Sequence, residues 1–176
     1  MNAANAITIM RVALVPVFVF LAYQGSRSAA VASLVAFGVA SVSDWVDGYI
    51  ARRRRTVSAF GEFMDPLADK LLVGAALYVL VDARDFPLWA ALVIGAREIV
   101  VQVLRIRIVQ RGGALPASPA AKAKTVTQII MVSWWLLPWD AISPVHHLLI
   151  GVVLITTLWS GFDYVRGYLR VVEPAS

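Results

Sequence analysis

Six predominantly apolar runs, separated by short polar segments, account for most of the chain. A bilayer hydrocarbon core about 30 Å thick takes roughly 20 helical residues to cross. On that measure the pattern predicts spans over Ile7 to Tyr23, Ala29 to Val46, Pro66 to Val81, Phe86 to Val109, Val126 to Trp139 and Val145 to Val165. Helices are expected because lipid leaves backbone groups no other partner, and the runs lack the period of two that a closed barrel needs. The predicted architecture is therefore an all-α integral membrane protein with six transmembrane helices. No internal repeat and no long linker interrupts it, so residues 1–176 are read as a single domain.

Composition strengthens this reading. Of the 176 residues, 60% are hydrophobic, against about 45–50% apolar, glycine included, in a soluble domain. The formal charge is +5, but the basic residues sit between apolar runs, as membrane loops do, and no nucleic-acid partner is expected. Arg52 to Arg55, and then Arg105, Arg107, Arg111, Lys122, Lys124, Arg166 and Arg170, fall in alternate connections, whereas the opposite loops hold Arg27 and Arg84. The positive-inside rule then predicts a multi-pass protein of the cell membrane with both termini and the arginine run in the cytoplasm. The first run is expected to remain, since Arg11 lies inside it and no small-residue cleavage site follows. The absence of cysteine excludes disulfides, thiolate metal sites and a thiol nucleophile.

Ionisable groups beside membrane spans cost about 2.5–3.5 kcal/mol each on insertion scales, so a cluster of them calls for a reason. Span two ends in Ser43-Asp44-Trp45-Val46-Asp47-Gly48, and span three opens with Gly61-Glu62-Phe63-Met64-Asp65-Pro66-Leu67-Ala68-Asp69-Lys70. Asp44 and Asp47 are three apart and Asp65 and Asp69 four apart, which on helices puts each pair on one face. Four carboxylates brought together repel unless cations intervene, and hard oxygen donors without Cys or His select two Mg²⁺ ions, or Mn²⁺, over zinc. A two-metal site clamps phosphoryl oxygens and offsets charge in the transition state, which points to a phosphate ester or anhydride as substrate. Gly48 allows close backbone approach, Arg52 lies about a turn further on for a phosphate, and Ser58 adds a hydroxyl.

Asp44, Asp47, Gly48, Ala51, Arg52, Gly61, Asp65 and Asp69 stand at the spacings of a known signature, and the chain resembles the CDP-alcohol phosphotransferase family. The resemblance implies that family's six-helix fold and a homodimer. It implies that Asp44 and Asp65 bridge both metals, that Asp47 holds one, and that Asp69 binds the other and acts as the catalytic base. Asn5, Thr8, Gly48, Arg52 and Ser58 are the implied donor-binding residues for CDP-diacylglycerol, whose phosphorus the acceptor hydroxyl attacks as CMP leaves.

The acceptor is read from other residues. Arg97-Glu98 lies within the fourth run, where an arginine is costly unless it meets a polar cavity or partner, and Lys122 and Lys124 reach toward the same cytoplasmic side. Arg97, Lys122 and Lys124 are therefore candidates for binding an acceptor that carries its own phosphate. The runs Asn5 to Arg11, Asp65 to Lys70, Arg97-Glu98, Lys124 to Gln128 and Ser160 to Tyr164 are similar to the branch of the family acting on sn-glycerol 3-phosphate. Related branches, acting on inositol phosphate or on phosphatidylglycerol, share several of these features.

Plainer readings stand beside these. A divalent-cation transporter could use the same carboxylates as an ion path, and a scaffold would need none of them. Arg53, Arg54 and Arg55 read as topology determinants, Lys70 as a cation that snorkels or balances charge, Gly112 to Pro116 as a cytoplasmic turn, and His146, His147 and the Trp and Tyr residues near span ends as interfacial. Arg97 and Glu98, adjacent on a helix, are expected to point in different directions rather than to pair.

Overall fold

The polar segments between the apolar runs carry the chemistry of helix ends. The computed structural model describes the backbone of residues 3–54, 59–111 and 118–172, and the side chains of residues 7–43, 67–111 and 118–170. It contains six α-helices: α1 (Ala3–Ala22), α2 (Arg27–Arg54), α3 (Ala59–Ala83), α4 (Leu88–Gln110), α5 (Pro119–Leu136) and α6 (Pro144–Val172). Among the described residues there is no strand, as the hydropathy pattern predicts.

Helix ends depart from the predicted spans for a physical reason. Hydropathy measures the lipid slab, whereas a helix persists wherever its residues favour it. Thus α2 continues beyond Val46 to Arg54, and α3 begins at Ala59 rather than Pro66. The turn expected at Gly112 to Pro116 lies outside the described residues.

Serine marks three of the starts. The Ser26 hydroxyl accepts from the Ala29 N–H at 3.1 Å, and the Ser118 hydroxyl from the Ala121 N–H at 3.2 Å. Ser118 precedes Pro119 and Ser143 precedes Pro144, and proline at the first helical position loses no bond because its missing N–H would be unsatisfied there. At α6 the cap is reciprocal: the Ser143 N–H donates to His146 Nδ1 at 3.0 Å, and the Ser143 hydroxyl lies 3.0 Å from the same nitrogen. His146 is buried, so it is a capping residue inside the protein rather than the interfacial group expected. Gly25 and Asp85 take the left-handed conformation, at φ 71° and 54°. The second lets the Phe86 N–H return to Leu80 O at 3.0 Å and close the end of α3.

Contacts divide the chain into two units. In the first, residues 1–86 and 132–140, α1 packs against both α2 and α3. The buried stripe of α2 is Ala30, Ser33, Phe37 and Ala40, and that of α3 is Ala68, Leu72 and Ala76. These small residues let helices approach closely, as they must where lipid supplies no hydrophobic drive. Phe18 meets Phe37 with ring centroids 5.8 Å apart. Trp135, read from the sequence as an interfacial anchor, is instead buried: its ring stands edge-on to Phe86 at 4.9 Å, and its indole N–H donates to Arg84 O at 2.9 Å. In the second unit, residues 87–131 and 141–176, α4 packs against α6. The stripe of α6 runs His146, Ile150, Val153, Thr157 and Ser160, and that of α4 runs Ala90, Ile94 and Glu98.

The distribution of side chains is that of a membrane protein. Phe20, Tyr78, Leu92, Ile99, Leu148 and Ile155 are all more than 60% exposed, while Thr8, Arg11, Glu98, Lys124, Gln128 and Thr157 are buried. Among the described residues, 144–170 form one helix long and apolar enough to cross a bilayer, with mean hydropathy 1.7, and Ile7–Ala22 and Arg27–Ser43 are shorter apolar helices. Replacing His146 by Leu removes the acceptor of the Ser143 N–H at the start of α6, at an expected cost of about 1 kcal/mol. In a chain of this size that lowers the unfolding midpoint by about 2–4 °C, measurable by thermal unfolding in detergent.

Candidate functional site

The first unit carries the carboxylates. Asp44, Asp47, Gly48 and Arg52 lie on the continuous C-terminal part of α2, and Asp65 and Asp69 lie on the first turns of α3. The spacings of three and four therefore fall on helix in both cases, as predicted. The side chains of Asn5, Asp44, Asp47, Gly48, Arg52 and Asp65 lie outside the described residues, and so does Ser58 altogether. Asp69 is described: its carboxylate is 44% exposed, with Lys70 Nζ at 3.8 Å. Thr8, on α1, is fully buried, and so is Arg11 one turn later. Sequence reasoning used Arg11 to argue against a cleaved leader and as the end of a quoted run, and gave it no role of its own. An arginine within an apolar run was the signal that it has an interior role.

An open apolar groove of about 430 Å³ runs between α1 and α2, lined by Ile7, Met10, Gly38, Val39, Val42 and Ser43. Among the described residues its α2 wall reaches Ser43, which precedes Asp44 in the chain. A ligand with a polar head and a hydrocarbon tail suits such a wall, since the tail loses water or lipid contact without stranding a polar atom.

The second unit carries the cations. Arg97, on α4, donates from Nη1 to Glu98 Oε1 at 3.0 Å and from Nη2 to the Ser160 hydroxyl of α6 at 2.9 Å. Ser160 in turn donates to Thr157 O at 3.1 Å. Lys124, on α5, forms an ion pair with the same Oε1 of Glu98. The side chains of Arg97, Glu98 and Lys124 are only 12%, 8% and 5% exposed. Contrary to the expectation from helix geometry, Arg97 and Glu98 do pair. Both cations reach the same Oε1 of Glu98 in a poorly solvated place. Arg97 Nε, Gln128 Oε1 and Thr157 Oγ1 are buried with no hydrogen-bond partner among the described residues. Lys122 is exposed and forms no ion pair among the described residues, so the structure brings Arg97 and Lys124 together and leaves Lys122 apart from them. The sequence reading passed over Ser160 and Glu98 as working residues, although both lay in motifs it had quoted.

A sequence model of the family described as CDP-alcohol phosphatidyltransferase matches residues 1–159. The chain is 41% identical to the CDP-diacylglycerol--glycerol-3-phosphate 3-phosphatidyltransferase of Bacillus subtilis (strain 168), covering 93% of each chain. It is 37% identical to a probable phosphatidylglycerophosphate synthase of Mycobacterium tuberculosis (strain CDC 1551 / Oshkosh), covering 96% of this chain and 82% of that one. A Pseudomonas fluorescens protein with the same name as the Bacillus one is also 37% identical, over 94% of this chain and 89% of its own.

Gly161 tests the seating of Arg97. A Cβ there meets Arg97 Cγ at 3.4 Å, an ordinary contact, so Gly161→Ala is expected to leave stability unchanged or slightly raised through helix propensity. Gly161→Leu drives its branch into the arginine stem and is expected to cost about 1–3 kcal/mol, seen as a lower unfolding midpoint.

Proposed function

Since this chain belongs to the CDP-alcohol phosphatidyltransferase family, we propose that it transfers a phosphatidyl group from CDP-diacylglycerol to sn-glycerol 3-phosphate, releasing CMP. The observation that carries this reading is the likeness, over nearly the whole of both chains, to proteins named for that transfer. The eight signature positions, from Asp44 to Asp69, agree with it.

The residues suit the chemistry in their separate parts. Asp44, Asp47, Asp65 and Asp69 are hard oxygen donors on two unbroken helices, a donor set that fits two Mg²⁺ or Mn²⁺ ions. Those ions, when bound, supply Lewis-acid stabilisation of the diphosphate and of the charge developing on it. Gly48, Arg52 and Ser58, with Asn5 and Thr8 of the first helix, hold the donor's cytidine diphosphate, and the groove beside Ser43 accommodates hydrocarbon. Asp69 takes the proton of the acceptor hydroxyl as its oxygen bonds to the phosphorus carrying diacylglycerol, and the bond from that phosphorus to the oxygen of CMP breaks. Arg97 and Lys124, with Lys122, bind the acceptor's phosphate, since charge-assisted hydrogen bonds from neighbouring cations suit a dianion. Six membrane crossings, cytoplasmic termini and a homodimer complete the proposal.

The test is CMP release from CDP-diacylglycerol by purified protein, with sn-glycerol 3-phosphate, inositol phosphate, phosphatidylglycerol or no acceptor. Stimulation by glycerol 3-phosphate alone is the expected result. Stimulation by another acceptor retains the reaction and changes the acceptor, and no release from folded protein removes the reading in favour of a transporter. Chelation of divalent cations is expected to abolish turnover and Mg²⁺ to restore it; activity that survives chelation excludes the metal assignment. Asp69→Asn is expected to lower kcat at least a hundredfold with the fold intact, and Arg97→Gln to raise the acceptor KM while leaving that of the donor unchanged.

A further inference from the structure

Two of the proposed acceptor-binding cations are held by one buried carboxylate that the transfer reaction itself does not require. Glu98 Oε1 receives Arg97 Nη1 at 3.0 Å and also pairs with Lys124, so a single oxygen joins α4 to α5. From the other side, the Ser160 hydroxyl of α6 accepts from Arg97 Nη2 at 2.9 Å and donates a hydrogen bond to Thr157 O. Gly161 leaves the space along which the arginine stem lies, with its Cγ 3.4 Å from where a Cβ would stand. Three helices therefore determine where the guanidinium sits, and Glu98 ties the lysine ammonium to it.

We infer that Glu98 is a positioning residue for the acceptor: it presets Arg97 and Lys124 as a pair for one phosphate group. The inference rests on the acceptor reading above and deepens it. Long cationic side chains lose rotamer freedom when they engage a ligand, and holding them in place beforehand removes that cost from binding. A carboxylate between two cations also favours the charged form of both in a site that is 12% exposed or less. Arg97 Nε, buried and without a partner among the described residues, is one donor that remains for a ligand oxygen. Glu98 touches neither the reacting phosphorus nor the attacking hydroxyl in this scheme, so its removal acts on acceptor binding.

Steady-state kinetics of CMP release, varying donor and glycerol 3-phosphate separately, decide the matter. Glu98→Gln, nearly isosteric and uncharged, is expected to raise the acceptor KM about tenfold, with kcat at saturation and the donor KM within about twofold of the parent. Glu98→Asp, which restores the charge on a shorter stem, is expected to recover most of the loss and leave the acceptor KM about two- to threefold raised. An unchanged acceptor KM in Glu98→Gln overturns the inference, and so does a loss that spreads equally to kcat and the donor KM, the mark of a merely structural role. Should Glu98→Gln fail to fold, Glu98→Asp decides alone: a raised acceptor KM at constant kcat supports positioning, and parental kinetics exclude it. Parent enzyme that glycerol 3-phosphate does not stimulate overturns the acceptor reading itself, a result distinct from any behaviour of the variants.

Discussion

Lipid offers a polar group nothing to bond with, and the distribution of side chains in this chain follows from that. In water, burying a cation costs solvation that the exposed surface would have supplied. In a bilayer the exterior supplies none, so an arginine or lysine is cheaper inside the protein, beside a carboxylate, than on its surface. Glu98 and Lys124 are buried and Arg97 is 12% exposed, while large apolar residues such as Ile99 and Ile155 lie outside, the distribution that this constraint favours. The same constraint requires that backbone groups be satisfied within each segment, which leaves helices throughout. It also explains why helix contacts are built from Ala30, Ala40, Ala68 and Ala76, because close approach and packing have to supply what a hydrophobic drive does not.

Chemistry is confined to the places where this order is relaxed. The two helices that carry the four aspartates continue past the ends of their apolar runs, α2 to Arg54 and α3 from Ala59, so those carboxylates stand on regular helix rather than on loops. A rigid helix holds a ligating or proton-accepting group more accurately than a loop does, and spacing along it determines which groups share a face. In the second unit the polar positions belong to the same stripes that carry apolar core residues elsewhere. Glu98 continues the line of Ala90 and Ile94, and Thr157 and Ser160 continue the line of Ile150 and Val153. A buried polar cluster is thus made by changing side chains on an ordinary packing face of regular helices.

Much of this was legible in the residues alone. The six apolar runs, the spacing of Asp44, Asp47, Asp65 and Asp69, and the signature around Gly48 and Arg52 depend only on order along the chain, and helical periodicity turns order into faces without any further information. The Ser-Pro pairs at 118–119 and 143–144 were equally readable as helix starts, since a cap is a contact between residues three apart. Other features depended on partners remote in sequence. Trp135 looked like an interfacial anchor until Phe86 and Arg84 O placed it inside, and His146 looked the same until it was seen to cap its own helix beneath a covering of other residues. Arg97 and Glu98 were assigned to different directions by helix geometry, yet they pair, and Lys124, from α5, reaches the same Oε1 of Glu98. The sequence by itself determined which elements form and which residues share each face, because both are local. Tertiary structure alone decided which remote groups each polar side chain meets, since Arg97 and Ser160 stand 63 positions apart and only packed helices bring them within 2.9 Å.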